Sequence, residues 1–364
     1  MADEYRASGI PFLRSLNVRP HRIDITDAKY IGREFHERLK KSSIRPGDVV
    51  TVRTGKPGQT AVIPDWLPEA NCSDLVITRP GPGLDARWLS YYLNWITDSH
   101  IAVHLVGAVQ QHFNVKSAQA IVLDLPHPTE QRAIAEVLGA LDDKIAANEH
   151  AARDAEALMQ ALHRRAVQGS GAVVRALFDV FAFDFGEAFK GDQFGDLGHG
   201  RPLIRIRDLK TLTPRTWTVE SRANEVTVQP GDVLVGMDAE FRPVIWLGDP
   251  GLLNQRVCRV RGKGFGDAFV ACALHKPLNA LEKEKSATTV IHLNKADLKR
   301  SVVQIPSASA LAEFEAAAEP ILRSRVALAL ESRRLSATRD GLLPLLMAGK
   351  VRVREAEKVV EGAL

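Results

Sequence analysis

The chain holds only three cysteines, Cys72, Cys258 and Cys272, and no two of them stand at a short paired spacing. That excludes a disulfide framework and a zinc knuckle and leaves them as buried thiols. No run approaches the roughly eighteen consecutive apolar residues of a membrane-spanning helix. The start, Met1-Ala2-Asp3-Glu4, has neither the basic opening nor the apolar core of a signal peptide, so the expected location is the cytoplasm, with no membrane partner. No Pro-Pro pair occurs anywhere, which removes the Asn/Asp-Pro-Pro-aromatic loop of an adenine methyltransferase.

Other enzyme signatures fail on local grounds. Gly195, Gly198 and Gly200 imitate a phosphate-cradling turn but follow no convincing strand and open no helix. Lys56 follows Gly55 as in a P-loop, yet Pro57 stands where the magnesium-binding Ser/Thr is needed. His100 and His104 lie four apart without the glutamate of a zinc-protease helix. No nucleophile, metal site or cofactor site is expected. What remains is ordinary globular material: 364 residues, 45% hydrophobic and 25% charged, enough for two cores. A net charge of +4 suits a polyanionic partner without requiring one.

The chain is duplicated. Gly9-Ile10-Pro11-Phe12-Leu13-Arg14 is echoed by Gly200-Arg201-Pro202-Leu203-Ile204-Arg205, and Arg45-Pro46-Gly47-Asp48-Val49-Val50 by Gln229-Pro230-Gly231-Asp232-Val233-Leu234. Asp85-Ala86 then matches Asp267-Ala268, His112-Phe113-Asn114 matches His292-Leu293-Asn294, and Leu125-Pro126 matches Ile305-Pro306. The offsets, 191, 184, 182, 180 and 180, drift one way, as they do when two homologous units differ by loop deletions. Each unit opens with β-rich runs (Val49 to Arg53, Ala120 to Leu123, Val233 to Val235) and a short helical segment, Trp88 to Trp95 in the first copy. Each closes with a long helix, announced in the first copy by Pro126-His127-Pro128-Thr129-Glu130-Gln131.

Both helices carry a seam. In the first, Ile134, Leu138, Leu141, Ile145, Asn148, Ala152, Ala155, Met159, Leu162 and Ala166 follow alternating steps of four and three. In the second, Phe314, Ile321, Leu328, Leu335 and Leu342 recur every seven residues, with Ala318, Arg325, Ser332 and Arg339 between them. Pro320 should kink this helix or begin a new one. A helix of 35 to 40 residues spans about 50 to 60 Å, so its apolar stripe must be buried on another long element, and the nearest candidate is the other helix. Asn148 within the seam either fixes register and partner choice or sits exposed on a loosened turn.

These stretches resemble the specificity subunits of type I restriction-modification systems over nearly the whole chain. The resemblance rests on Ser8 to Arg14, the two Pro-Gly-Asp-Val turns, Leu125-Pro126 leading to Glu130-Gln131-Arg132-Ala133-Ile134, Leu141-Asp142-Asp143-Lys144-Ile145, and Gly341 to Val351. The second copy departs at Ala308 to Leu311, which lack the Glu-Gln pair of the first. The resemblance implies an α+β fold with two pseudo-symmetric target-recognition globules separated by two long antiparallel helices. The expected domains are 1–125, 171–305, the helices 126–170 and 306–350, and a tail 351–364. It further implies a non-catalytic reader of a split double-stranded DNA site that docks two methyltransferase subunits, which consume S-adenosylmethionine, and in some assemblies a restriction or translocase subunit. The second copy has about 27 residues, from Val173, before Gly200, whereas eight precede Gly9; an upstream segment or the tail after Lys350 is expected to complete the first globule.

Base discrimination needs Arg or Lys on guanine and Asn or Gln on adenine, presented from loops. The candidates in the first copy are Arg53, Lys56, Gln59 and Thr60, with Gln110 and Gln111. In the second they are Arg201, Arg205, Arg207, Met237, Arg242, Gln255 and Arg256, with Arg259, Arg261 and Lys263 as phosphate contacts. The same duplication also fits a different class, a coiled-coil adaptor that joins protein partners without touching DNA.

Overall fold

The structure is a computed structural model that describes residues 2–104, 113–169, 171–285 and 292–364. Two compact units emerge, one made of Met1–Ile145 with Arg334–Leu364, the other of Ala146–Arg333.

In the first unit a five-stranded sheet runs, edge to edge, Tyr5–Arg6, Lys29–Ile31, Ile10–Leu13, Ala70–Cys72 and Ser43–Ile44. Its central pair is parallel, Phe12 and Leu13 facing Asn71 and Cys72. The second unit repeats this order with Phe194–Gly195, Trp217–Thr218, Arg201–Ile204, Gly251–Leu253 and Thr227–Val228, again with one parallel pair, Leu203 and Ile204 facing Leu252 and Leu253. The duplication is therefore one of topology and register as well as sequence. Gly9 and Gly200 show why the first shared motif is glycine: their φ values are +138° and +81°, and a Cβ would sit 2.5 Å from Ile31 O and 2.3 Å from Thr218 O.

The second sheet of each unit is built on the Pro-Gly-Asp turn. Asp48 Oδ2 accepts from Arg45 N–H and Asp232 Oδ2 from Gln229 N–H, closing each turn on its own backbone. Strands Val49–Val52 and Val233–Gly236 leave these turns, flanked by Thr60–Val62 and Leu75–Thr78 in the first unit, and by Pro243–Ile245 and Val257–Gly262 in the second. The second unit adds a fourth strand, Phe181–Phe185, on Val257–Gly262. It also has a two-stranded ribbon, Val173–Ala176 with Val302–Ile305.

The expected strand Ala120 to Leu123 is corrected by this comparison. It matches the ribbon strand Val302–Ile305 but is not a strand, and Val122 is 88% exposed. A strand is held by its ladder, and among the described residues of the first unit nothing takes the place of Val173–Ala176. The expected helical segment Trp88 to Trp95 lies inside Ala86–His104.

The first long helix is Pro128–Gln168 and the second is Ala308–Met347, unbroken through Pro320, so Pro320 begins no new helix. In the first unit Ile134, Leu138, Leu141 and Ile145 are buried with Leu335, Leu342, Leu343 and Leu346. A C-terminal helix, Val353–Glu361, joins this core through Ala356 and Val360. In the second unit Met159 and Leu162 pack with Phe314, Ala318 and Leu322, while Ile321 and Leu328 are half-buried. Burying an aliphatic side chain of this size contributes about 1.5 to 3 kcal/mol, so these seams dominate the helices' share of stability. Two polar links cross the seam there. Asn148 Nδ2 donates to Glu331 Oε2 at 2.8 Å and Arg325 Nη2 to Glu156 Oε2 at 2.8 Å, and the opposed numbering makes the helices antiparallel in this unit.

Candidate nucleic-acid interface

The loops of the two units fall at matching places. In the first unit the loop 53–59, between Val49–Val52 and Thr60–Val62, meets the turn at Asp74: Arg53 N–H donates to Asp74 O, and Phe113 N–H to Arg53 O. In the second the loop 237–242 meets the turn at Arg256 by the same two bonds, Met237 N–H to Arg256 O and Leu293 N–H to Met237 O. Arg53 and Met237 are thus structural equivalents, as are Asp74 and Arg256. One scaffold presents an exposed arginine from the loop in one unit and from the turn in the other.

Around the first cluster Arg53 and Lys56 are exposed and Gln59 is half-buried. A small hairpin, Val18–Arg19 with Arg22–Ile23, lies alongside, its His21 N–H donating to Thr60 O, and it adds exposed Arg19 and Arg22. These arginines were not among the candidates taken from the sequence. The signal that finds them is the repeat: His21 and Leu212, 191 apart, share a left-handed backbone, with φ of 64° and 54°.

Thr60 is corrected. It is fully buried, its N–H donating to Asn94 Oδ1 and its hydroxyl within 2.9 Å of Thr51 Oγ1, so it shapes the loop from beneath and presents nothing to a ligand. Asn94 also donates to Thr60 O and to Ser90 O, and its amide nitrogen lies 3.2 Å from His21 Nδ1. The His21 ring stacks on Tyr91 at 4.4 Å, and burial pushes His21 down to about 4, so the imidazole is neutral at pH 7. The Tyr91 hydroxyl donates to Asp142, and burial, reinforced by that carboxylate, raises the phenol well above its ordinary range. Gln110 and Gln111 lie outside the described residues.

In the second unit Gln255 and Arg256 are exposed, and Arg256 is held from two sides. Its Nη1 lies 3.1 Å from His292 Nε2 and its Nε 3.6 Å from Asp238 Oδ2, while His292 Nδ1 and Asp238 Oδ1 are 2.5 Å apart. The sequence does not single out Asp238, and it marks His292 only as part of the repeat and not as a candidate contact. Arg242 is exposed at the end of the same loop, and Lys210 pairs with Glu240 at 3.1 Å. Arg207 is exposed, with one bond to Thr216 Oγ1; Arg205 is half-buried, 5.5 Å over the Phe194 ring.

Three candidates are corrected here. Met237 is 8% exposed and packs in the core, because it directly follows the strand Val233–Gly236 and its backbone is held between Arg256 and Leu293. Arg201 is clamped by both Glu225 oxygens at 2.5 and 2.9 Å, which consumes the fork a base would need. Arg259 has an 18% exposed side chain and divides its donors between Asp184, Asp232 and Thr227 O, so it is a structural cation. Arg261 shares Asp184 but is exposed, and Lys263 Nζ donates to Phe178 O at 2.6 Å. The three thiols are free and buried, and burial pushes each up to about 12.

Among known proteins, the family model of the type I restriction modification DNA specificity domain matches residues 170–310. The specificity subunit of the type I restriction enzyme EcoBI of Escherichia coli is 36% identical over 138 residues, covering 37% of this chain. The chain spans 28% of that relative's length in this match. The S subunit of a type I restriction-modification system from M. genitalium shares the fold, with a TM-score of 0.55 at 12% identity over 95% of this chain and 91% of that one. The HsdS subunit of Thermoanaerobacter tengcongensis aligns over 96% of this chain and 94% of that one at 19% identity and a TM-score of 0.35. No helix among the described residues is long and apolar enough to cross a membrane.

Proposed function

Residues 170–310 of this chain match the type I restriction modification DNA specificity domain, and on that premise we propose that the chain is a specificity subunit of that family and a two-headed reader of double-stranded DNA. Each unit reads one half of a split site, and the chain directs adenine methylation by two partner methyltransferase subunits without catalysing a reaction itself. Its compartment on this reading is the cytoplasm, where its DNA and partners are.

One observation carries the reading: the matched pair of loop clusters, Arg53 with Asp74 and Met237 with Arg256, set on the same backbone bonds but with different side chains. A duplicated scaffold with diverged loops is what reading two different half-sites requires, because the scaffold fixes approach while loop side chains choose bases. An adaptor for protein partners gives no reason for an exposed arginine, Arg53 in one unit and Arg256 in the other, to recur at both clusters. S-adenosylmethionine and any restriction or translocase activity belong to the partners.

The test is direct detection of methylated adenine across the genome in cells with and without this gene. Loss of methylation at one split motif with a fixed gap supports the reading. Unchanged methylation in cells that express a methyltransferase partner would transfer the chain to the adaptor class.

A further inference from the structure

The second unit contains a cleft of about 1120 Å³ that the reading clusters do not use. It opens between the last turns of the first long helix, residues 241–243, and the helices Asp267–Ala273 and His275–Lys285. Arg164, Arg242 and Lys276 line it, all exposed. Neither Arg164 nor Arg242 donates a hydrogen bond or ion pair within the described residues, and Lys276 reaches only Gln304 Oε1, at 3.3 Å. The lining carboxylate, Glu282, accepts from Phe241 N–H at 2.9 Å.

His163 Nε2 is buried in this wall with no hydrogen-bond partner among the described residues. Burial, with His275 and Arg164 beside it, pushes His163 down to about 4. His275 is lowered too, by burial first, with Glu156 opposing and Arg242 adding to the shift. Both imidazoles are therefore neutral and the cleft's positive field comes from its three cations.

The junction of helix and globule does not itself demand those cations. At the 180-residue offset, Gln160, His163, Arg164 and Val167 correspond to Asp340, Leu343, Pro344 and Met347, and Leu343 is buried in the core of the first unit. The cleft, at about 1120 Å³, is also larger than the volume of about 300 to 1,000 Å³ usual for small-molecule sites, and polar side chains such as Gln160, Asn279 and Gln304 interrupt its wall beside the three cations.

We propose that this cleft seats backbone phosphates of duplex DNA and anchors the strand whose bases face the Asp238, Arg256 and His292 cluster. The loop 237–242 links the two places, with Asp238 beside Arg256 at one end and Arg242 in the cleft at the other. Exposed cations on flexible stems, two of the three with no hydrogen bond or ion pair among the described residues, suit phosphates, which position the protein without reading sequence. The proposal rests on the DNA-reading function above.

The experiment uses the full chain carrying Arg164→Gln, Arg242→Gln or Lys276→Gln. Affinity is measured for a duplex with the methylated motif and for a scrambled duplex, across roughly 50 to 200 mM salt. Each substitution should lower the slope of log affinity against log salt by about 0.9 and weaken both duplexes alike, with Arg164→Lys restoring the slope. Arg256→Gln should instead lose discrimination between the duplexes. Unchanged slopes in all three cleft variants, beside lost discrimination in Arg256→Gln, would overturn the cleft assignment and leave the reader intact. Stabilisation of the chain by inorganic phosphate that these variants abolish, with DNA slopes unchanged, would also overturn it, in favour of a free anion. Failure of the unsubstituted chain to bind either duplex would instead remove the reader itself.

Discussion

Arg339 Nη1 donates to Asp142 Oδ1 at 2.5 Å, joining the two long helices inside the first unit with both side chains less than one-fifth exposed. The Tyr91 hydroxyl donates to the same carboxylate. Asp142→Ala would leave Arg339 with only the exposed Asp340 and Tyr91 with no acceptor. The expected cost is about 3 kcal/mol, since the mostly buried Arg339 keeps only an exposed carboxylate and the Tyr91 hydroxyl is left without an acceptor. Replacing both partners by leucine should recover most of it. Denaturant midpoints for the two variants check this; a loss under about 1 kcal/mol for Asp142→Ala would show that Arg339 relaxes into solvent.

Acid should loosen the first unit before its carboxylates titrate. His21 titrates near 4 when folded and near 6.5 when unfolded, so between those values the unfolded chain binds more protons. The neutral imidazole's stability is complete above about pH 6.5 and declines as pH falls toward 4, on the order of 3 kcal/mol in all. His163 in the second unit has the same sign and window. His21→Asn keeps a residue that tolerates the left-handed backbone while removing the titration. Melting temperatures from pH 7.5 to 5 should fall more steeply for the parent than for this variant.

The legible parts of this fold were those with a local cause. Gly47 and Gly231 have φ of 84° and 101°, and the carboxylate three residues from each turn's start closes on the backbone, so the Pro-Gly-Asp motif marks the same corner twice. The helix seams were visible because a long helix leaves a periodic apolar record. What failed depended on distant partners. Thr60 looked like a loop hydroxyl until Asn94, 34 residues away, closed over it. Ala120 to Leu123 had strand composition but, among the described residues, no strand to pair with. Arg201 and Arg259 had the right chemistry for DNA, but Glu225 and Asp184, remote in sequence, had already taken their donors.

Two substitutions should separate the half-sites. Arg53→Gln should relax discrimination at one base of the half-site read by the first unit and leave the other half-site unchanged. Arg256→Gln should do the reverse. Each is expected to cost about 1 to 3 kcal/mol of discrimination, or roughly 5- to 150-fold. Methylation profiles of libraries randomised at each half-site give the answer. If either variant changed both half-sites equally, the one-unit, one-half-site division would be wrong.

Asp184 should act as a brake on non-specific binding. It lies on the edge strand Phe181–Phe185, in register with Arg259, and accepts from Arg259 at 2.9 and 3.1 Å and from Arg261 at 3.0 and 3.2 Å. Asp184→Asn keeps the shape and one acceptor but removes the charge that both guanidiniums share. Arg259, partly buried, still has Asp232, so the stability cost should stay near 1 to 2 kcal/mol, about one hydrogen bond to a charged group. Arg261, 55% exposed, would be released toward any nearby polyanion. Affinity for scrambled duplex should therefore rise and its salt slope steepen by about 0.9, narrowing the ratio of specific to non-specific binding. A stable Asp184→Asn variant with an unchanged slope would place Arg261 away from the DNA, and would leave the carboxylate with a purely structural task.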